Sequence, residues 1–370
     1  MSKKSIFIFF TCIIFIGLIV YGNLQYSEKL KTISKQAHEK MDQRLIKSEE
    51  ANRNLYTKLA NGKKIDFLII GDELGSGIGV EDEHTLKQQV SNLIEAKYNN
   101  KVNEHQITKK GADVFNGLFV YEKEKKDTEQ DLIMVVFGQH DTDRLTVKQF
   151  EKNYESLLKQ IITDHPKAEI FTVIQNSLSD QQEYVTVIEE LSDHYGMPSI
   201  DGRKIFSKSD KETDQLLTDE GYPNAVGYEL YAEAIVNTIA EDVTKDITID
   251  YSNVEVLHDI NKYDDFRFID TPEELDGFAL VDGYYSSSQA SSSIRYEFSG
   301  DLLALHINNT GGLMEVYLDG EYLQQYDLND LTEGEIHLMI TDELEKGDHT
   351  AQIFVREAGK TIQIKSLITK

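Results

Sequence analysis

The stretch from residue 64 to residue 79 reads Lys64-Ile-Asp-Phe-Leu-Ile-Ile-Gly-Asp-Glu-Leu-Gly-Ser-Gly-Ile-Gly79. Its first half is a short apolar run that ends in Gly71, a pattern typical of a buried β-strand. Its second half is rich in glycine, as expected of a tight loop after a strand. A buried strand followed by such a loop is a typical first unit of a parallel α/β sheet.

Strand-like and helix-like runs alternate after this unit. Further strands are expected at 102–107, 131–137, 168–174 and 198–200, with 131–137 of the fully buried type, and helices are expected at 85–96, 146–163, 182–195 and 224–240. This alternation predicts an α/β fold of the flavodoxin-like, three-layer type, with a parallel sheet covered by helices on both faces. Ligands bind such sheets at the carboxyl ends of the strands, so the loops after residues 70, 107, 137 and 174 are the expected site.

Four short motifs lie in or beside those loops. They are Gly71-Asp-Glu-Leu-Gly-Ser-Gly-Ile-Gly79, Lys110-Gly111, Gly138-Gln-His-Asp141 and Leu217-Thr-Asp-Glu-Gly-Tyr-Pro-Asn-Ala-Val-Gly-Tyr228. Together, and in this order, they resemble the four sequence blocks of the SGNH/GDSL hydrolases. The resemblance covers roughly residues 65 to 243, and it implies the fold of that family.

The catalytic positions differ from the family pattern. The resemblance places Glu73 where the family has its nucleophilic serine, Tyr222 where it has the histidine base, and His140 where it has the asparagine of the oxyanion hole. Only Gly111 and Asp219 keep the family's residue type. A carboxylate repels the developing oxyanion, and a phenol with a reference pKa of about 10 does not act as a base at neutral pH. We therefore expect the serine-esterase mechanism to be lost.

Two other chemistries were weighed at the same loops. Ser76, three residues after Glu73, could form an improvised nucleophile–base pair with His140. Glu73, Asp141 and Asp219 supply hard oxygen atoms that could hold a divalent cation, but carboxylates bonded to backbone N–H groups are the preferred interpretation. No cofactor and no metal site are predicted.

If catalysis is lost, the cleft can persist as a ligand-binding site. The candidate binding residues are Asp72 at the start of the helix after Gly71, the backbone of Gly111, and the side chain of His140. The rival interpretation is that the fold is merely retained, with Glu73 and Tyr222 filling the cleft. The sequence leaves both open.

The N-terminus predicts a membrane anchor. Ser5 to Tyr21 is uncharged and largely apolar, at the lower limit of length for a span, and Lys3 and Lys4 place the preceding end in the cytoplasm. No small-residue cleavage signal follows, although a cleaved secretory signal is the alternative. Cys12 is the single cysteine in the chain, so no disulfide is expected. An exported protein without disulfides fits a Gram-positive surface.

A basic helical stalk is expected next. Residues 23–64 carry ten basic and five acidic side chains, with a narrow apolar stripe that also allows weak self-association.

The chain has 370 residues and a net charge of −27, and residues 65–370 alone carry −34. Such a charge argues against nucleic-acid binding, because phosphate contacts need lysine and arginine. It also disfavours anionic polymers as ligands of the body.

In the last third of the chain, helical periodicity gives way to short strand-like runs. Short alternating runs at 248–257, 278–281, 294–298, 302–308, 313–318, 336–340, 350–356 and 361–364 are separated by glycine-containing turns. They predict an antiparallel β-sandwich of the jelly-roll type, with residues 286–293 as a serine-rich loop. The module resembles the sandwiches that accompany carbohydrate esterases, and its tyrosines Tyr284, Tyr285, Tyr317, Tyr322 and Tyr326 are either sugar-stacking or cross-strand packing residues.

These observations divide the chain into a membrane anchor at 1–22, a stalk at 23–62, an α/β domain at 63–245 and a β-sandwich at 246–370. The leading hypothesis is a membrane-anchored, extracytoplasmic SGNH-like pseudoenzyme that binds or scaffolds a cell-envelope glycan or acylated polysaccharide. One alternative is an active acyl-ester hydrolase or O-acetyltransferase that uses residues outside the family pattern. Another is that the stalk is the functional part and tethers a passive head.

Overall fold

The computed structural model describes residues 54–245, 249, 251 and 254–370. The predicted membrane anchor at 1–22 and the stalk up to residue 53 lie outside this part of the chain. Within the part that is described, no helix has both the length and the apolar character needed to cross a bilayer. The anchor and the stalk therefore stay predictions.

The first domain contains the parallel sheet expected from the alternating pattern. Its five strands pair in the order β2-β1-β3-β4-β5, and all four pairings are parallel. The three central strands are almost entirely buried, which explains their continuous apolar runs. The strands are β1 (Ile65–Gly71), β2 (Val102–Thr108), β3 (Leu132–Val136), β4 (Glu169–Ile174) and β5 (Ser199–Asp201).

Nine described α-helices connect or cover these strands. They are α1 (Leu55–Ala60), α2 (Glu73–Ser76), α3 (Leu86–Tyr98), α4 (Val114–Glu124), α5 (Asp141–Arg144), α6 (Val147–Asp164), α7 (Gln182–Tyr195), α8 (Gly202–Ser207) and α9 (Ala225–Lys245). The sequence predicted α3, α6, α7 and α9. Helix α6 begins with a capping box, in which the Thr146 hydroxyl accepts from the Gln149 amide and the Gln149 side chain accepts from the Thr146 amide.

The packed region begins before the expected boundary at residue 63. Helix α1 buries Leu55 and Leu59 completely in the core of the first domain. Lys58 donates to the carboxylate of Asp131, just before β3, at 2.6 Å. The last described residues of the predicted stalk therefore belong to the α/β domain.

The second domain is an antiparallel β-sandwich, as predicted. One sheet has the order β13-β12-β15-β10-β7, and the other has the order β14-β11-β16-β9-β8 with β6 added beside β16. The strands are β6 (Arg267–Ile269), β7 (Glu274–Asp276), β8 (Ala279–Val281), β9 (Tyr284–Ser287), β10 (Ser293–Gly300), β11 (Leu303–Asn309), β12 (Leu313–Leu318), β13 (Glu321–Asp327), β14 (Gly334–Thr341), β15 (Gly347–Val355) and β16 (Ile362–Thr369).

The structure corrects the expectations for this domain in three places. The described residues of 248–257 form no strand: Ile249 and Tyr251 are buried in the core of the first domain, and the Leu257 amide bonds to Glu155. The predicted serine-rich loop is shorter, because its two ends lie in β9 and β10. Strands β6, β7, β9 and β13 were not predicted. Almost all side chains of β13 are exposed, so its sequence shows no buried alternation.

A buried carboxylate fixes the segment that joins the two domains. Glu155 of α6 accepts hydrogen bonds from the Tyr195 hydroxyl at 2.6 Å and from the backbone amides of Leu257 and His258 at 2.6 and 2.8 Å. The ring of His258 adds a fourth contact at 2.7 Å. Glu155 thus holds Leu257 and His258 of the connecting segment against α6.

The two domains share a packed seam. One face of the β14-β11-β16 sheet fills the sandwich core, and residues of its other face, such as Ala304 and Met339, join the core of the first domain. Phe119 of α4 stacks on His337 of β14 with ring centroids 4.0 Å apart. The Asn116 side chain exchanges two hydrogen bonds with the backbone of His337, at 3.0 and 2.8 Å.

Candidate functional site

Three strand ends bring the principal site residues together. Glu73 opens α2 after β1, Gly111 follows β2, and His140 precedes α5 after β3. One carboxylate oxygen of Glu73 accepts from the Gly111 amide at 2.8 Å, and the other contacts Nε2 of His140 at 2.8 Å. The residues that the sequence aligned with the family's nucleophile and oxyanion positions therefore bond to one another.

The charges of this pair reinforce each other. Burial by itself would raise the pKa of Glu73, but the bonds from His140 and Gly111 bring that pKa below its ordinary value. Burial would lower the pKa of His140, yet the Glu73 carboxylate raises it. Both shifts favour the carboxylate–imidazolium form. The Glu73 side chain is only 3% exposed and that of His140 21%, so the carboxylate lies beneath the imidazole.

Two completely buried aspartates support the loops below the pair. Asp72 accepts from the Leu74 amide at 3.1 Å and from the side-chain amide of Gln175 at 2.6 Å. Burial and the charge of Glu73 raise the pKa of Asp72 to about 7. Asp72 is therefore a helix cap and a loop anchor here, with no exposed surface.

Asp141 has the same kind of role. Its two oxygens accept from the backbone amides of Val114 and Gly138 at 2.7 and 2.8 Å. Burial and the neighbouring Asp113 raise its pKa well above the ordinary value. Both carboxylate oxygens therefore accept from backbone N–H groups. For Asp141, this is the arrangement that the sequence analysis preferred over a cation site.

Ser76 does not meet His140. Its hydroxyl donates to the backbone carbonyl of Glu73 at 2.8 Å, and the only described hydrogen-bond partner of the His140 ring is the Glu73 carboxylate. The nucleophile–base pair considered from the sequence is therefore not formed in this structure.

The last block lies beside the other three. Tyr222 is half-buried, and burial together with the charges of Glu73 and Asp72 raises its pKa, so it stays a neutral phenol. Asp219 lies exposed in the preceding turn, and its side chain forms no hydrogen bond or ion pair with another described residue. Asp219 thus keeps the residue type of the family's acid, but it contacts no described histidine that it could orient.

The sandwich reaches this site through Thr332. Gly111 has a φ of +67°, and a Cβ atom added there would lie 1.7 Å from the Thr332 hydroxyl oxygen. Arg144 donates to the Gly111 carbonyl and lies 3.7 Å from an Asp113 oxygen. Sequence reasoning missed Thr332, Arg144 and Gln175. Only Gln175 had a signal, as the first residue after the fourth predicted strand.

We expect Gly111→Ala to lower the free energy of unfolding by about 2 kcal/mol, because a Cβ atom there meets both an unfavourable φ and the Thr332 side chain. Urea unfolding followed by circular dichroism measures it. Gly221→Ala is the matched control, because Gly221 has a φ of +85° and open space around it. Equal losses in the two variants would show that Thr332 does not press on Gly111.

The first domain matches the model of a known protein family. Residues 69–230 match the model of the GDSL-like lipase/acylhydrolase family. This segment is similar to the domains of that family. The family resemblance inferred from the four motifs is thereby confirmed for the first domain. No curated protein matches the chain.

Solved structures extend the likeness to both domains. A two-domain esterase (CEX) active on acetylated mannans, co-crystallised with mannopentaose, is 16% identical with a TM-score of 0.65, over 85% of this chain and 92% of that one. A second structure of a two-domain esterase (CEX) active on acetylated mannans gives a TM-score of 0.64 at 16% identity, over 86% and 96%. A lipase/acylhydrolase from Enterococcus faecalis is 25% identical with a TM-score of 0.41, over 48% and 96%. The first two establish a shared two-domain fold.

The arrangement of the site limits its chemistry. An acyl-transfer site needs a hydroxyl nucleophile, a neighbouring base and free donors for the oxyanion. Here the nucleophile position holds a carboxylate, the base position holds a neutral phenol, and the Gly111 amide donates to Glu73. The residues that the sequence aligned with the family's catalytic positions do not supply these three features in this structure.

Proposed function

We propose that this chain is a catalytically degenerate, GDSL-hydrolase-like protein that binds a glycan or acylated polysaccharide of the cell envelope. One observation carries the loss of catalysis: the Glu73 carboxylate bonds to both the Gly111 amide and the His140 ring. A carboxylate in that position imitates the oxyanion that these donors would otherwise stabilise. The site is therefore occupied by a side chain of the protein itself.

Two observations support the choice of ligand class. The fold of both domains is shared with an esterase described as active on acetylated mannans and crystallised with mannopentaose. The strongly negative body favours neutral or acylated glycans over anionic polymers. We further propose that residues 1–22 anchor the protein in the membrane, with the body outside the cell, as the charge pattern of the N-terminus predicts.

The decisive experiment measures catalysis and binding on the same preparations. The full-length protein, Glu73→Ala and Ser76→Ala are tested for aryl-acetate hydrolysis, for labelling by a fluorophosphonate, and for binding to an array of neutral and acetylated glycans. We expect no turnover and no labelling in any of the three, with glycan binding in the wild type. Turnover or labelling that disappears only in Ser76→Ala would overturn the proposal in favour of the active hydrolase. Absence of glycan binding would refute the ligand class.

A further inference from the structure

Two histidines face each other at the seam between the domains. His306 of β11 and His337 of β14 are paired in the antiparallel register, and their ring centroids are 4.5 Å apart. His337 also stacks on Phe119 of α4, with an angle of 11° between the ring planes. The pair therefore lies between the sandwich and the helix of the α/β domain.

One ring nitrogen of each histidine is buried without a hydrogen-bond partner among the described residues. Nε2 of His306 and Nδ1 of His337 are buried and have no hydrogen-bond partner. The nearest carboxylate oxygen, on Glu335, lies 3.9 Å from His306 Nε2 and already accepts from the Tyr284 hydroxyl at 2.6 Å. A proton on either ring would thus be a buried charge without a hydrogen-bonded counter-ion, which is costly.

The surrounding charges add to that cost. Three lysines on different elements lie near the pair, and the Glu335 carboxylate is the acidic group that lies among them. Lys123 and Lys365 lie 3.5 and 3.7 Å from the Glu335 carboxylate, and Lys109 donates to the Glu335 carbonyl. The charged groups that act on the two rings are Lys109 in the loop after β2, Lys123 on α4, Glu335 on β14 and Lys365 on β16. Behind them, Asp113 and Glu124 act on Lys109, and Tyr284 on β9 donates to Glu335.

The proton equilibria follow from this environment. Burial and the charge of Lys365 lower the pKa of His306 to about 4. Burial, His306 and the neighbouring lysines hold the pKa of His337 well below its ordinary value. A histidine freed into water has a pKa near 6.5. The closed seam is therefore fully favoured above pH 6.5, and it weakens as the pH falls from 6.5 towards the lower pKa of the closed state.

We propose that this seam is an acid-sensitive latch, in which protonation of His306 and His337 loosens the contact between β14 and α4. The segment that precedes β14 carries Thr332, which covers Gly111. Opening of the latch consequently uncovers the loop that carries the Gly111 amide. This inference goes beyond the proposed function and does not depend on whether the chain binds a glycan.

Hydrogen exchange of the full-length protein in a nonionic detergent tests the latch. Exchange is followed by mass spectrometry at pH 7.5, 6.5, 5.5 and 5.0, after correction for the intrinsic exchange rate at each pH. Each histidine that takes up a proton on opening favours the open form about tenfold per pH unit below 6.5. We expect protection of residues 331–341 to fall at least about thirty-fold between pH 6.5 and 5.0, while Leu313–Leu318 of the far sheet changes little.

Variants assign the effect to the two rings. His306→Gln/His337→Gln should reduce the change in protection to less than about threefold, and each single variant should show an intermediate change. His84→Gln, at an exposed histidine of the α/β domain, is the matched control and should behave as wild type. Protection that is independent of pH in the wild type, or an equal loss in the double variant, would overturn the proposal. If the double variant does not fold, the two single variants decide the same question.

Discussion

The double variant Glu73→Ser/Tyr222→His is expected to hydrolyse aryl acetates on the order of 10² to 10⁴ times faster than Glu73→Ser alone, the usual contribution of a positioned general base. Removing the carboxylate frees the Gly111 amide and the His140 ring as donors for an oxyanion. Serine restores the hydroxyl, and histidine at position 222 restores a base three residues after Asp219. Steady-state hydrolysis at pH 7.5 measures the gain.

Three controls make this result specific. Tyr222→His alone should stay inactive, because Glu73 still occupies the donors. Adding Asp219→Asn to the double variant should reduce the rate, since the restored imidazole loses its acid partner. Fluorophosphonate should label the double variant at residue 73. A double variant no faster than Glu73→Ser would mean that the last loop no longer has the geometry of the family, and that more than two residues separate this site from an esterase.

Glu155→Ala is expected to lower the free energy of unfolding by about 4 kcal/mol, because it leaves four buried or half-buried donors without an acceptor. Those donors are the Tyr195 hydroxyl, the amides of Leu257 and His258, and the His258 ring. Glu155→Gln keeps one acceptor oxygen in place, and should lose about half as much. Urea unfolding measures both losses, and hydrogen exchange of residues 255–262 reports the release of the connecting segment.

The loss should depend on pH in a defined direction. Burial by itself would raise the pKa of Glu155, but its donors bring that pKa below the ordinary value. A depressed carboxyl pKa contributes stability above the unfolded value, near 4.5, and that contribution disappears as the pH falls through the folded pKa. The difference between wild type and Glu155→Ala should therefore be largest near neutral pH and shrink below pH 4.5. Glu190→Ala, at an exposed site on α7, should change stability by less than about 0.5 kcal/mol.

Much of the fold could be predicted from local patterns. The buried strands β1, β3 and β4 are continuous apolar runs that end at glycine or a polar residue, and helix α6 has a clear apolar face. Helix α4 was missed, because it is buried on nearly all sides and so shows no polar face to mark its period. The alternation of 248–257 predicts a strand, because a local pattern does not reveal that the described residues of this segment pack against the first domain.

The sequence by itself determined which residues stand at the positions aligned with the family's catalytic groups: a glutamate, a glycine and a histidine after three strands, and a tyrosine before the last helix. Chain order in a parallel sheet is enough to gather them at one edge. Only the tertiary structure decided that the Glu73 carboxylate takes both donors, that Ser76 turns to the backbone, and that Thr332 covers Gly111. These contacts join residues that are distant in sequence, and they depend on side-chain rotamers and on the docking of the second domain, which no local pattern records.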